Sequence, residues 1–233
     1  MVREGYYFGL PPVLIGLFLL GARSPIPQAA GGLLLFLGLF TFYFFRDPER
    51  LIPDAAGAVV SPADGRVVVV KDEPNQGRPG KRISIFLAIW NVHVNRAPAA
   101  GTISHLDYRP GKFMAAWTES ASAENEQNIF VQSTEYGEIV YKQIAGWVAR
   151  RVVSWKKQGD FVARGERIGL VRFGSRVDLW LPCEAEILVS VGNNVKGGSS
   201  VLARFPESPP VRKGATDKSR TTSQKLRDAD DRP

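Results

Sequence analysis

The sequence predicts a mainly β (α+β) protein: a compact β-sandwich or flattened barrel preceded by an apolar helical hairpin. Three observations predict it. Short strand-like runs recur from Val59 to Phe205, punctuated by Gly, Pro, Asn and Asp, as all-β domains require. Two glycine-rich turn units interrupt the second half of that stretch. Residues 5–45 are unlike the rest and carry two apolar runs.

Composition agrees. The 233-residue chain is 44% hydrophobic and 23% charged, enough apolar content for a packed core and too few charges for wholesale disorder. Three regions follow: a membrane-associating hairpin over 1–50, a β domain over 51–206, and a tail over 207–233. The single cysteine, Cys183, rules out an internal disulfide and a Cys-type metal site. The net charge of +7 favours an anionic partner, either nucleic acid or a lipid surface. No compact Lys/Arg run, zinc finger or aromatic RNA-binding motif occurs, so nucleic acid is not expected. The apolar N-terminus argues for lipid.

The hairpin comes first. Its runs, Tyr6–Ala22 and Gly31–Phe45, are separated by residues 23–30. A helical run of about 15 residues covers roughly 22 Å, short of the ~30 Å hydrocarbon core. The pair therefore either spans marginally or dips into one leaflet. Both ends return to one side, where Arg3, Arg46 and Arg50 flank them. That bias favours the cytoplasmic face of the cell membrane.

The predicted strands follow: Val59–Val60, Arg66–Lys71, Arg82–Ile89, Asn128–Gln132, Ile139–Ala145, Arg167–Phe173, Val177–Leu181, Ala185–Val191 and Val201–Arg204. The Val content of Ala145–Val153 favours continued strand there. Gly159-Asp160 with Val162-Ala-Arg-Gly-Glu-Arg-Ile-Gly169, and then Gly192-Asn-Asn-Val-Lys-Gly-Gly-Ser-Ser-Val-Leu-Ala203, resemble the turns of lipoyl- and biotinyl-type sandwiches. After Phe205 the chain is nearly free of apolar residues and is expected to be disordered.

The chemistry centres on Gly174-Ser175, inside the strand-like run Ile168–Pro182. The surroundings lack the G-x-S-x-G elbow of a hydrolase nucleophile. The pair reads instead as a self-cleavage point. Attack of Ser175 Oγ on the Gly174 carbonyl, followed by elimination and loss of ammonia, leaves a pyruvoyl group at position 175. Such a ketone, conjugated to an amide, reacts with amines and draws electrons. The rival pair Gly198-Ser199 lies in a flexible turn, whereas a strand-flanked site holds the carbonyl in a reactive geometry. His93, between valines, is either a core residue or a proton carrier near neutral pH. Asp64, in Pro-Ala-Asp-Gly, is equally a tight-turn residue. Asn125 and Glu126 either cap a turn or touch a ligand. Arg46 and Arg50 suit lipid phosphates, and interfacial snorkelling explains them equally.

Six segments occur in register: Phe45-Arg-Asp-Pro-Glu-Arg50, Ser61-Pro-Ala-Asp-Gly65, Asn91-Val-His-Val-Asn-Arg-Ala-Pro98, Pro110-Gly-Lys-Phe113, Ala123-Glu-Asn-Glu-Gln-Asn128 and Arg172-Phe-Gly-Ser-Arg-Val-Asp178. In this order the chain, over roughly residues 40–205, resembles the short, archaeal-type form of the phosphatidylserine decarboxylase proenzyme family. The resemblance implies conversion of phosphatidylserine to phosphatidylethanolamine and carbon dioxide by a covalent pyruvoyl group derived from Ser175, without metal. It implies a cut between Gly174 and Ser175 into a β chain, 1–174, and an α chain, 175–233; a noncovalent αβ pair is expected, with a dimer of such pairs as a further assembly. It assigns an active-site histidine at His93 and an acidic processing residue at Asp64, while Asn125 and Glu126 are candidates to hydrogen-bond the lipid head group or to buttress the site. Longer family members carry a second histidine where this chain has Arg96. The remaining histidine, His105, lies outside the matching segments. Two other classes compete. An uncleaved, membrane-tethered lipoyl-like adaptor would need a lysine at its hairpin tip to carry a prosthetic group, and Phe-Gly-Ser-Arg has none. A zinc peptidase needs more histidines than two.

Overall fold

The computed structural model describes residues 1–75, 77–112, 124–146, 151–172 and 175–206. Two helices open the chain, α1 (Arg3–Leu20) and α2 (Pro25–Phe44). The strands are β1 (Ala58–Val60), β2 (Gly65–Asp72), β3 (Gly80–Leu87), β4 (Val94–Arg96), β5 (Gly101–Arg109), β6 (Gln127–Thr134) and β7 (Gly137–Ala145). They continue with β8 (Val152–Ser154), β9 (Phe161–Val162), β10 (Arg167–Val171), β11 (Ser175–Pro182), β12 (Glu186–Ile187), β13 (Asn194–Val195) and β14 (Val201–Arg204).

The hairpin is longer than its apolar runs suggest. α2 starts at Pro25, inside the segment that separates the runs, because proline is well placed in a first helical turn. Its 20 residues reach ~30 Å, so the helix is long and apolar enough to cross a membrane. The two helices close on a seam of small residues at heptad spacing. Gly16 faces Gly31 and Gly9 faces Gly38, while Val2 N–H donates to the Phe45 carbonyl at the open end (3.2 Å). A Cβ on Gly16 would sit 2.8 Å from the Gly31 carbonyl oxygen, so only glycine permits this approach. The outward faces carry exposed Tyr7, Leu14, Phe18, Ile26, Leu33 and Phe36.

Eight strands form one curled antiparallel sheet in the order β13-β2-β3-β11-β7-β6-β5-β9. Two three-stranded sheets, β1-β14-β12 and β4-β10-β8, complete the fold. The core between them is aliphatic and aromatic, including Ile83, Ile85, Leu87, Phe130, Ile139, Tyr141, Ile168, Val177, Leu179 and Phe205. Along β11 the alternation is clear: Ser175, Val177, Leu179 and Leu181 belong to one face, Arg176, Asp178 and Trp180 to the other. The arginine is not left bare, since Arg176 donates to Asp178 Oδ1 (2.6 Å) and to Ser84 Oγ (2.9 Å).

Several strands differ from expectation. β5 was not anticipated, because a bulge between Ile103 and His105 breaks its period of two. β4, β9 and β13 are too short for a pattern. The expected strand Ala185–Val191 narrows to β12. Of Ala145–Val153, β7 ends at Ala145 and β8 starts at Val152, and residues 147–150 lie outside the described residues. The tail from 207 onward lies outside them too. Both glycine-rich units are strand connections. In the first, Gly165 (φ +78°) turns where a Cβ would meet Ile52 at 2.4 Å, so the residue must be glycine.

Candidate active site

Ser175 is the first residue of β11, the strand inside the large sheet that β3 and β7 flank. The chain reaches it from β10, which belongs to a different sheet. β10 ends at Val171, and Ser175 is the first residue clamped in the large sheet. Gly174, the other half of the expected cleavage site, lies outside the described residues. Ser175 is fully buried, and its Oγ has no hydrogen-bond partner among the described residues. A buried hydroxyl without a partner costs about 1–3 kcal/mol. Ser199, by contrast, sits in the β13–β14 turn, its N–H bonded to the Lys196 carbonyl (3.1 Å).

Strand register assembles other candidates around Ser175. It pairs with Leu87 on β3 and Ala145 on β7, while Arg176, Phe86 and Arg66 align across β11, β3 and β2. Extending that register by one puts Gly65 level with Ser175, with Asp64 next to Gly65 in the chain. On the opposite side, the Ala145 N–H donates to the Glu126 carbonyl (2.9 Å). One row of the sheet thus runs Gly65, Leu87, Ser175, Ala145, Glu126. Asp64 and Asn125 stand in the next row outward.

The side chains of that rim are tied down. Asn125 Nδ2 donates to the Ala145 carbonyl (2.7 Å), bracing the residue paired with Ser175. Glu126 Oε1 accepts the Val152 N–H (3.1 Å) and clasps β8. Both residues are buried. Asp64 accepts from Arg50 Nη2 at 2.9 and 2.8 Å and from the Gly197 N–H at 2.7 Å. Arg50 belongs to the segment after α2, so Asp64 anchors that segment to the rim.

His93 immediately precedes β4. Its carbonyl accepts the Val171 N–H (3.2 Å), four residues before Ser175. Its ring lies against Phe44, the last residue of α2, with centroids 4.3 Å apart. Nδ1 is 2.9 Å from the Asn91 carbonyl. A carbonyl only accepts, so Nδ1 carries the hydrogen and Nε2 is the ring's acceptor. Burial pulls the pKa of His93 from 6.5 to about 4, against the Asn91 bond that raises it and with the Arg46 charge that lowers it. His93 is therefore neutral near pH 7. Arg96 is a buried clamp that donates to Gly165 O (3.0 Å), Asp47 Oδ1 (3.0 Å) and Pro48 O (3.2 Å). Burial lowers its pKa, and Asp47 counters that. His105 is exposed on β5.

One feature escaped the sequence reading. Asn128 Nδ2 donates to Gln143 Oε1 (3.0 Å), and Gln143 Nε2 donates to Asn95 Oδ1 (2.8 Å). All three amides are buried. The chain runs from β6 through β7 to β4, linking the sheet of Ser175 to the sheet that His93 leads into. Gln143 stands opposite Val177 on β11, on the same face as Ser175. The signal available was a glutamine on the β7 face that otherwise carries Ile139, Tyr141 and Ala145.

Comparison with known proteins agrees on one family. The sequence model described as phosphatidylserine decarboxylase matches residues 37–203. A phosphatidylserine decarboxylase proenzyme of Symbiobacterium thermophilum is 42% identical over 211 residues, 89% of this chain and 96% of the relative. One from Solibacter usitatus is 46% identical over 208 residues, covering 88% and 96%. One from Erythrobacter litoralis is 48% identical over 191 residues, covering 75% and 77%.

Proposed function

Because this chain belongs to the phosphatidylserine decarboxylase family, we propose that it is a self-cleaving carboxy-lyase that converts phosphatidylserine to phosphatidylethanolamine and carbon dioxide at position 175. The observation that carries the placement is the buried Ser175 Oγ, without a partner among the described residues, where the chain enters β11.

In processing, Ser175 Oγ attacks the Gly174 carbonyl carbon as a proton passes to the amide nitrogen, giving an ester. Loss of the Ser175 α-hydrogen expels the Gly174 carboxylate, and hydration then releases ammonia. The residue left at 175 is uncharged and small, which suits a fully buried seat between Leu87 and Ala145. A pyruvoyl group there supplies a ketone that condenses with the head-group amine and accepts the electron pair freed with carbon dioxide. Asn125 braces Ala145 beside that seat, and Glu126 holds β8 over it. Asp64 steadies the rim beside Gly65 through Arg50 and the Gly197 N–H. His93 Nε2 takes the proton that the substrate's ammonium must lose and returns it to the decarboxylated carbon. Burial keeps that imidazole neutral near pH 7, with Nε2 as its acceptor.

The cut leaves both fragments together. Residues from Ser175 onward keep eight pairs with β3 and six with β7, so the α chain stays as an inner strand of the sheet. The hairpin holds the molecule at the cytoplasmic face of the membrane, where a diacyl substrate resides.

Intact mass of the purified protein and its fragments tests this reading. Two pieces divided between residues 174 and 175 are expected, the smaller one gaining two hydrogens per molecule with borohydride, together with carbon dioxide release from phosphatidylserine. A single unmodified chain would overturn it.

A further inference from the structure

We propose that the turn Ala88–Asn91 is a membrane-docking tip, with Ile89 and Trp90 seated in the interfacial layer of a phospholipid bilayer beside the mouth of the site. The inference rests on the hairpin lying in the bilayer as read above, and it adds a contact made by the β domain itself.

The turn joins β3 to β4 and is stiff. The Asn91 N–H donates to the Ala88 carbonyl (2.8 Å), and Asn91 Oδ1 accepts the Ala88 N–H (2.8 Å). Two large apolar residues stand on its outside, Ile89 at 37% exposure and Trp90 at 64%. A rigid turn that displays a tryptophan to water loses burial without an evident structural return.

The depth of the tip is set by α2. Arg46 Nη2 donates to the Trp90 carbonyl (2.7 Å), and Tyr43 OH reaches the same oxygen at 3.4 Å. The Arg46 guanidinium also lies 3.9 Å from the Tyr43 ring centroid. Tyr43 and Arg46 bracket the end of the helix that is apolar enough to span. With α2 across the hydrocarbon, these residues stand at the head-group level, where tryptophan and tyrosine concentrate. Trp90 is fixed at the same level by the shared carbonyl.

The tip also touches the chemistry. The Asn91 carbonyl is the partner of His93 Nδ1 (2.9 Å). One four-residue turn therefore connects the end of the membrane helix to the proton-carrying histidine. Docking of Trp90 presents the His93 side of the β domain to the lipid surface, so a serine head group has a short path to position 175.

The test uses the full chain reconstituted in phosphatidylcholine vesicles containing phosphatidylserine, with acyl chains brominated near the interface. Tryptophan quenching of the wild type should be at least twofold greater than that of Trp90→Phe, and equal quenching would overturn the proposal. Separately, Trp90→Asp should raise the vesicle phosphatidylserine needed for half-maximal rate at least fivefold, with kcat within twofold and both fragments formed. An unchanged half-saturation would overturn it. If the wild type neither splits nor releases carbon dioxide, the enzymatic reading falls alone, because the quenching comparison still decides the docking.

Discussion

Gln143 on β7 donates a 2.8 Å hydrogen bond to Asn95 on β4, and so couples the sheet that holds Ser175 to the sheet that follows His93. β10 ends at Val171 and β11 starts at Ser175, so the proposed cut between residues 174 and 175 would remove the covalent link between these two strands. What then keeps His93 in register with position 175 is packing, the Glu126 clasp on Val152 and this buried amide chain.

Gln143→Met preserves bulk and removes both bonds, leaving Asn128 and Asn95 with bare polar atoms at about 1–3 kcal/mol each. The variant should still split into two fragments, because β11 remains clamped. Its kcat should fall about tenfold, the rate equivalent of ~1.4 kcal/mol of lost positioning, with KM changed less than threefold. Steady-state kinetics on the processed variant decide it.

Ser175→Ala should run as one uncut 25.6 kDa chain and release no carbon dioxide. Against uncut wild-type precursor, removing an Oγ that has no partner among the described residues should not lower the melting temperature, since a buried unsatisfied hydroxyl is a cost to the fold. Denaturing gels and thermal melts read both outcomes. Decarboxylation by this variant would refute the assignment of position 175.

His93 should make stability depend on acid. Its pKa is about 4 folded and 6.5 unfolded, so between these values the unfolded chain binds the extra proton. Stability should therefore fall as pH drops from about 6.5 towards 4, by on the order of 3 kcal/mol in all. His93→Gln should flatten that stretch of the profile. It should also lower kcat by 10²-fold or more, in the usual range for a lost proton carrier. Urea melts across pH and carbon dioxide release provide the two measurements.

Arg96→Leu breaks a buried ion pair with Asp47, whose side chain is only 8% exposed. Losing one partner of such a pair costs about 3–5 kcal/mol, and the low end is expected because Arg167 also reaches Asp47. Arg96→Lys should recover only part, since one ammonium cannot match the reach of two guanidinium nitrogens to Gly165, Asp47 and Pro48. Chemical denaturation of the three proteins checks the ranking.

Much of the fold was legible because it rests on local pattern. β2, β3, β6, β7, β10 and β11 alternate or run apolar over enough residues to stand out, and the hairpin's two runs announce themselves. The elements missed are those where local pattern ends. β5 carries a bulge that flips its alternation, and β4, β9 and β13 hold two or three residues that become strands only because a neighbour supplies their hydrogen bonds. The apolar run of the second helix begins at Gly31 whereas α2 begins at Pro25, because prolines that break a helix interior are tolerated in its first turn.

For the site, the chain order of residues marked Ser175, His93, Asp64, Asn125 and Glu126 as chemically suggestive, since a motif records residue types at fixed spacing. Only the tertiary structure decided that Gly65, Leu87, Ser175, Ala145 and Glu126 form one row. Strand register is settled by partners far apart in the chain. The same holds for the neutrality of His93 and for the amide chain through Gln143. Burial and pairing are properties of a packed interior, and neither exists until distant segments close around a residue.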